Sequence, residues 1–485
     1  MAWCAADATV VLAAPDALLC LGRNHTGFAF DPRSRQLRTP RPLIGLGGLA
    51  AAHVALGQQH LAVLTACHRL FTAGFNGHGQ LGRPPSSTTG VCGLRRVETD
   101  FAGTGALARA VACGAAHTLL VLEAPADAGD AGAAGDAGIL SVWGCGSNYE
   151  GQLAAAAPVC PAFTEIDLGG LRAAGGYTTA AARTTRTVRV AAGDHFSVVM
   201  LGDLVALAGG GRDLVGQLAA APPPPAPAAH RLRVPAEQPF RGRTVRHLVA
   251  GPTHVLVGCV AAGRDKHTHT LEVFGWGRND MHQLGLPPTV DFADAPVSLP
   301  FDCPPQPHSD FPSMLAAASG SSIVVVAGRV WCIGETHADT HSYWDTATLK
   351  YTCMDRALFD GLDVAFAGAG RCHATFTTTC GKIYMQGSLS AVNDNGIPTA
   401  ARRIRGELKG VCDQSHLWQP RPLPLALFSV PSLPPWVLPA ENRLAFLMGT
   451  HPRLGRSALV SHLDLLVLRL VIEFADALAP PAMRP

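Results

Sequence analysis

Apolar positions in this chain come in short continuous runs, not in helical stripes. Residues 60–76 read HLAVLTACHRLFTAGFN, two β runs around a tight turn that end in a glycine-containing bend. The same layout recurs at residues 8–24 (ATVVLAAPDALLCLGRN), 196–212 (FSVVMLGDLVALAGGGR) and 373–389 (HATFTTTCGKIYMQGSL). Three more copies differ in hairpin length: HTLLVLEA from 117 with ILSVWGCGSN, HVLVGCV from 254 with LEVFGWGRN, and IVVVAGRVWCIGET from 323. The pattern predicts seven copies of one unit, with lead positions at 8, 60, 117, 196, 254, 323 and 373.

Two signatures accompany the runs. A glycine lies three residues before six of the leads: Gly57, Gly114, Gly193, Gly251, Gly320 and Gly370. Another falls fourteen residues after the lead at Gly22, Gly74, Gly210 and Gly387. After the hairpin, four copies carry a further motif: NGHGQLG (76–82), NYEGQL (148–153), RDLVGQL (212–218) and NDMHQLG (279–285). A unit of this length suits a small antiparallel sheet of about four strands. One such sheet cannot bury its own two apolar faces, whereas seven packed radially bury all of them. The expected fold is all-β, a seven-bladed β-propeller of four-stranded antiparallel blades.

The combination G-x-x-H, an apolar strand, a turn and then W-G-x-N-x-x-G-Q-L-G resembles the regulator of chromosome condensation repeat family. Gly57 and His60 with residues 74–82 carry it best, as do Gly251 and His254 with residues 275–279. The resemblance covers residues 1–400 and implies the seven-bladed propeller; Trp-Asp and double-glycine signatures of other propellers are absent at repeat spacing. Residues 401–485 form a C-terminal extension. Because the first repeat starts almost at Met1, part of that extension is expected to close the ring, from 444–448 or 458–468, unless 455–478 forms a docked amphipathic helix.

Composition adds limits. The 485 residues are 48% apolar and 15% charged, too apolar for a disordered chain, and 52 glycines with 37 prolines favour many turns. The tract 123–138 and the proline-rich stretches 219–229 and 287–312 are expected as exposed loops. Fourteen scattered cysteines include no C-x-x-C pair, so reduced thiols are expected and neither a disulfide framework nor a zinc site. Asp7 and Asp16, with no basic residue before Arg23, are unlike a secretory leader, and no run reads as a membrane span. The expected location is intracellular: cytoplasm, nucleus or an organelle matrix.

His60, His117, His254 and His373 are tempting as catalytic or metal residues, but equivalence across copies points to packing, with each ring bonded to neighbouring backbone. His267 and His269 read as a hairpin loop, and His337 with His341 as another. No nucleophile elbow, phosphate loop or dinucleotide fingerprint occurs, so no catalytic, cofactor or metal residue is expected. A net charge of +2 and one local cluster, Arg402, Arg403 and Arg405 near Lys409, give no expectation of nucleic-acid binding. The expected function is a non-catalytic protein-interaction platform with a protein partner on one propeller face. The resemblance implies the alternative, guanine-nucleotide exchange on a Ran-like small GTPase. Residues 144–159 continue as a plain repeat where the founding protein carries a wedge-like insertion, which weighs against exchange. Asp194, in the stretch 191–195 that resembles a GTPase-facing segment of that family, is the one candidate partner contact.

Overall fold

The computed structural model describes residues 2–5, 8–14, 17–23, 36–85, 91–98, 105–124, 139–176, 187–210, 231–263, 268–308, 311–334, 351–370, 373–387 and 421–422. Its strands form seven separate antiparallel sheets in chain order. Blade 1 holds β1 (Ala2–Ala5), β2 (Ala8–Ala14), β3 (Ala17–Arg23) and β4 (Gln36–Leu43). Blade 2 holds β5 (Ala51–Leu56), β6 (His60–Thr65), β7 (Leu70–Gly74) and β8 (Val91–Val97). Blade 3 holds β9 (Leu107–Cys113), β10 (His117–Ala124), β11 (Ile139–Ser147) and β12 (Val159–Ile166), and the short helix α1 (Gly169–Ala174) follows it. Blade 4 holds β13 (Val188–Ala192), β14 (Phe196–Leu201) and β15 (Leu204–Gly209), with Arg233 bridging to Leu207. Blade 5 holds β16 (Thr244–Ala250), β17 (His254–Ala262), β18 (His269–Arg278) and β19 (Phe292–Ser298). Blade 6 holds β20 (Ser313–Ala317), β21 (Ser321–Val326), β22 (Arg329–Gly334) and β23 (Thr352–Cys353). Blade 7 holds β24 (Val364–Ala369), β25 (His373–Thr378), β26 (Ile383–Gly387) and β27 (Arg421–Pro422).

The first strand of each blade touches the first strand of the next, and β24 returns to β1, so the chain is a closed seven-bladed β-propeller. Burial follows from this arrangement. β6, β14, β15, β21 and β25 are buried at every residue, because blade faces pack on both sides of them. That is why their sequences are continuous apolar runs without alternation. The cores lie between blades: Val198 and Met200 of blade 4, Val255 and Val257 of blade 5, and Leu315 and Val324 of blade 6 belong to one cluster.

The outermost strands obey another rule. Pro40 and Pro42 sit in β4, Pro161 in β12, Pro296 in β19 and Pro422 in β27. Proline lacks the N–H a ladder needs, so an edge strand with one open side is where it is tolerated.

Three expectations need correction. The leading strand of blade 1 is Ala2–Ala5, paired with Val11 to Ala8, and is not borrowed from the other terminus. Of the extension, Arg421 and Pro422 pair with β26 of blade 7; the candidate segments 444–448, 455–478 and 458–468 lie outside the described residues. The stretch 287–312 is no simple loop. It contributes β19, and Gln306 pairs with His269. Finally, the sixth lead is Ser321, not Ile323. Ser321 pairs with Gly334 as His60 pairs with Gly74, and Ala318 N–H donates to Ser321 O as Gly57 N–H donates to His60 O. Gly320 is therefore not equivalent to Gly57, Gly114, Gly193, Gly251 and Gly370; Ala318 is.

The post-hairpin glycine also moves by one residue in blade 4, where Phe196 pairs with Gly209 and the turn is only Gly202–Asp203. The reason for glycine there is clear at Gly146. Its φ is +107°, and a Cβ would fall 2.4 Å from Ala116 O.

Candidate functional site: blade interfaces and the axial face

Each lead histidine reaches across to the following blade. His60 Nε2 is 2.9 Å from Thr118 Oγ1, His117 Nε2 3.1 Å from Ser197 Oγ, and His254 Nε2 3.0 Å from Ser322 Oγ. His373 Nε2 closes the ring 2.7 Å from Thr9 Oγ1 of blade 1. The first three hydroxyls donate onward to backbone carbonyls: Thr118 to Gln80 O (2.8 Å), Ser197 to Gln152 O (2.7 Å) and Ser322 to Gln283 O (2.6 Å). A hydroxyl has one proton. Since it goes to the carbonyl, the oxygen must accept from the imidazole, which fixes these three rings as the Nε2–H tautomer. The expected partner was backbone; the observed partner is a side-chain hydroxyl that passes the bond to backbone.

These rings are fully buried and neutral. Burial pushes His60 down to about 4 and His254 to about 3; for His117 burial and then the nearby His60 and His195 bring it to about 3. Nδ1 of all three makes no hydrogen bond. The ring lies against the glycine three residues earlier. A Cβ on Gly114 would sit 2.2 Å from His117 Cε1 and 2.4 Å from Gly193 O of the next blade. Glycine at this position is required by a ring on one side and a neighbouring blade on the other.

The second signature builds the loop that presents the carbonyl. Asn76 Oδ1 accepts from Leu81 N–H (3.0 Å), and its Nδ2 donates to Arg83 O and Pro84 O. Asn148 does the same with Leu153 N–H, Ala155 O and Ala157 O, and Asn279 with Leu284 N–H, Leu286 O and Val290 O. Gln80, Gln152 and Gln283 each accept from the N–H two residues earlier. One residue type thus staples the loop, the next aims its backbone at the following blade, and the leucine is buried beneath.

The receiving hydroxyls were missed in the sequence, although a signal exists. Wherever a copy leads with His, the next copy has Thr or Ser just after its own lead: Thr118, Ser197, Ser322 and Thr9. Where the lead is Ala8, Phe196 or Ser321, the residue so placed is Leu61, Val255 or Ala374, all buried. The two positions change together.

The turns that carry these glycines surround the axis on one face, called the upper face here. A cavity of about 100 Å³ lies there, lined by Cys4, Gln58, Gly114, Asp194, Pro252 and Gly370 among others. Asp194 is half-buried at its rim; its N–H donates to Pro252 O (3.0 Å), and its carbonyl accepts from Ala115 N–H (3.3 Å). It therefore joins the rims of blades 3, 4 and 5.

The two faces differ in chemistry. On the upper face, the described turns and loops 57–60, 75–85, 114–117, 148–158, 193–196, 251–254 and 279–291 contain Arg83, Glu150, Asp194, Asp280 and Asp291 as their charged residues, and Arg278 at the end of β18 pairs with Asp280 (3.6 Å). Pro84, Pro85, Ala156, Ala157, Pro158, Pro287, Pro288 and Tyr149 are exposed there. The lower face carries the ion pairs Arg109–Glu123, Arg243–Glu272, Arg356–Asp363 and Lys382–Asp360.

Of the other histidines, His269 opens β18, while His267, His337 and His341 lie outside the described residues, as do Arg402, Arg403, Arg405 and Lys409. Among the described residues no three His, Cys, Asp or Glu converge as metal ligands, none of the cysteines is disulfide-bonded, and no helix is long and apolar enough to cross a membrane.

The sequence model of the regulator of chromosome condensation (RCC1) repeat matches residues 272–327. That span runs from β18 through β21, so it holds both Gln283 and the Ser322 that bonds to it in the next blade. No curated protein matches the chain by sequence. Human WBSCR16 has a similar structure at 17% identity and a TM-score of 0.54, covering 77% of this chain and 85% of that one. Yeast RCC1 (Prp20), crystallised with Kap60, has a TM-score of 0.56 at 14% identity over 79% of this chain and 83% of its own. Prp20p from Saccharomyces cerevisiae, studied for binding to Gsp1p and histones, gives 0.56 and 14% over 77% and 81%. At such identities the likeness speaks for fold, and it agrees with the repeats and their register: the chain is a seven-bladed β-propeller, and residues 272–327 match the regulator of chromosome condensation repeat.

Proposed function

We propose that the protein is a non-catalytic interaction platform whose upper face receives a protein partner. The observation that carries this reading is the contrast between faces. Few charges around an exposed aromatic ring is the composition of an interface centre, whereas the lower face carries four ion pairs among the described residues. The repeated histidines and glutamines are buried between the blades, out of reach of a substrate. Rigid loops on a propeller are suited to presenting such a surface.

A photo-activatable cross-linker applied to complexes of the intact chain tests this. Cross-links are expected at 75–85, 148–158 and 279–291, and Ala156→Glu with Ala157→Glu should remove the partner without lowering the melting temperature. Cross-links confined to the lower-face hairpins would overturn it.

Exchange on a small GTPase is the second reading, favoured by the position of Asp194 at the axial rim. Against it, β11, the Asn148 loop and β12 form a regular repeat in the region expected to hold a wedge. Catalytic amounts of the protein are expected to leave nucleotide release from a Ran-type GTPase unchanged. Acceleration by orders of magnitude, lost in Asp194→Ala at unchanged melting temperature, would replace the platform reading with exchange.

A further inference from the structure

Leu107 and Tyr149 are the exposed large apolar side chains among the described residues, and Tyr149 is 65% exposed. Tyr149 is not isolated. The His78 ring meets it edge to face, with centroids 6.0 Å apart and planes at 85°, and Phe75 meets His78 in turn at 6.2 Å and 75°. The three rings form a shelf across the upper face from blade 2 to blade 3. Both loops are held by asparagine staples, Asn76 on one side and Asn148 on the other. A partner that lands there orders little that is not already fixed, which is the condition for usable affinity from a small contact.

The charge beside the shelf is one-sided. Glu150 follows Tyr149, is exposed, and pairs with no cation among the described residues; its backbone N–H is held by Gln152 Oε1 (3.0 Å). Arg83, the cation of the 75–85 loop, is engaged elsewhere, on Thr72 Oγ1 (2.6 Å) and Arg95 O (3.1 Å). An exposed ring face next to an unneutralised carboxylate repels acidic ligands and suits a planar cation. A guanidinium stacks on tyrosine and bonds a carboxylate through paired N–H groups, which an ammonium cannot do.

We propose that this shelf binds an arginine side chain in a basic peptide segment of the partner, stacked on Tyr149 and hydrogen-bonded to Glu150. The proposal rests on the upper-face platform reading and gives that partner its chemistry.

The test is the affinity of the intact protein for a fluorescent Arg-Gly-Arg-Gly-Arg peptide at low salt, beside peptides with Lys or Glu in place of Arg. The arginine peptide should bind more tightly than the lysine peptide, and the glutamate peptide should not bind. Tyr149→Ala and Glu150→Gln should each weaken the arginine peptide about two- to fivefold, Tyr149→Phe should retain it, and melting temperatures should stay constant because both side chains are exposed. Indifference to Tyr149→Ala, equal binding of the glutamate peptide, or no arginine-peptide binding at all would overturn the shelf. If those results coincide with partner loss in Ala156→Glu with Ala157→Glu, the shelf fails and the platform stands; if that variant also keeps its partner, both fail.

Discussion

The interface between blades 5 and 6 and the one between blades 4 and 5 solve the same packing problem in opposite ways. In the first, His254 donates to Ser322, which donates to Gln283 O, all inside the core. In the second, Phe196 and Val255 occupy the corresponding places, both buried and without polar atoms. Across the contact itself both obey the rule that buried polar groups be paired, one by passing the Nε2–H bond through a hydroxyl to backbone and the other by removing both partners. The mixed combinations, a histidine facing an aliphatic residue or a hydroxyl facing a phenyl ring, do not occur at the interfaces where both positions are described. Their absence shows that the pair, not the residue, is the unit of this repeat.

The largest way to break this arrangement is Gly114→Ala. The added Cβ meets the His117 ring and Gly193 O within 2.4 Å, and overpacking against backbone should cost about 3 kcal/mol, read by chemical denaturation. His117→Ser in the same chain, copying the Ser321–Ala318 arrangement of blade 6, should restore part of it. If the single variant is as stable as wild type, the ring does not occupy the place assigned to it.

Next comes the pair itself. Ser322→Val leaves the His254 N–H and Gln283 C=O without their partner and should cost about 2 kcal/mol. Adding His254→Phe copies the interface of blades 4 and 5, and the double variant should be about 1 kcal/mol better than the sum of the singles. Strict additivity would show that the two positions are independent.

A gentler probe is acid. The buried imidazoles have folded pKa values near 3–4, below the ordinary 6.5, so the unfolded chain binds protons that the folded chain refuses. Stability is therefore fully present above about pH 6.5 and declines as pH falls towards 3. The fall in melting temperature from pH 6.5 to 4 should be shallower in the His254→Phe, Ser322→Val chain than in wild type; equal slopes would mean that His254 does not titrate on unfolding. The smallest effect belongs to the lower face, where Arg356→Gln breaks a half-exposed pair with Asp363 (2.9 Å) and should change stability by under about 1 kcal/mol. A larger loss would mean that surface pairs, and not the buried relay, hold the blades.

Much of this was legible in the residues, and the errors have a common cause. A two-residue shift along a strand keeps every side chain on the same face, so period-2 patterning cannot tell Ser321 from Ile323 as the sixth lead. Gly320 then looked like the partner of Gly57, while the true equivalent, Ala318, was invisible as a non-glycine. The same difficulty displaced Gly209 to Gly210, because a two-residue turn shortens that hairpin. Asp194 was singled out by resemblance. Its half-burial and its bonds to blades 3 and 5 follow from the closure of the ring and from nothing local.

By itself the sequence determined the number of units, the strands within them and the glycines and histidines that recur, since hairpins are local and their signals repeat at short range. Register, ring closure and partnership were decided only in three dimensions. Ala2–Ala5 becomes an inner strand because β24 and β5 lie on either side of it, and Thr9 becomes the acceptor of His373 although 364 residues separate them. The contrast between the two faces is of the same kind. Antiparallel pairing brings the G-x-x-H turns and the Asn-stapled loops to the same end of the blades that carry them, and seven blades around one axis gather those ends into a single surface.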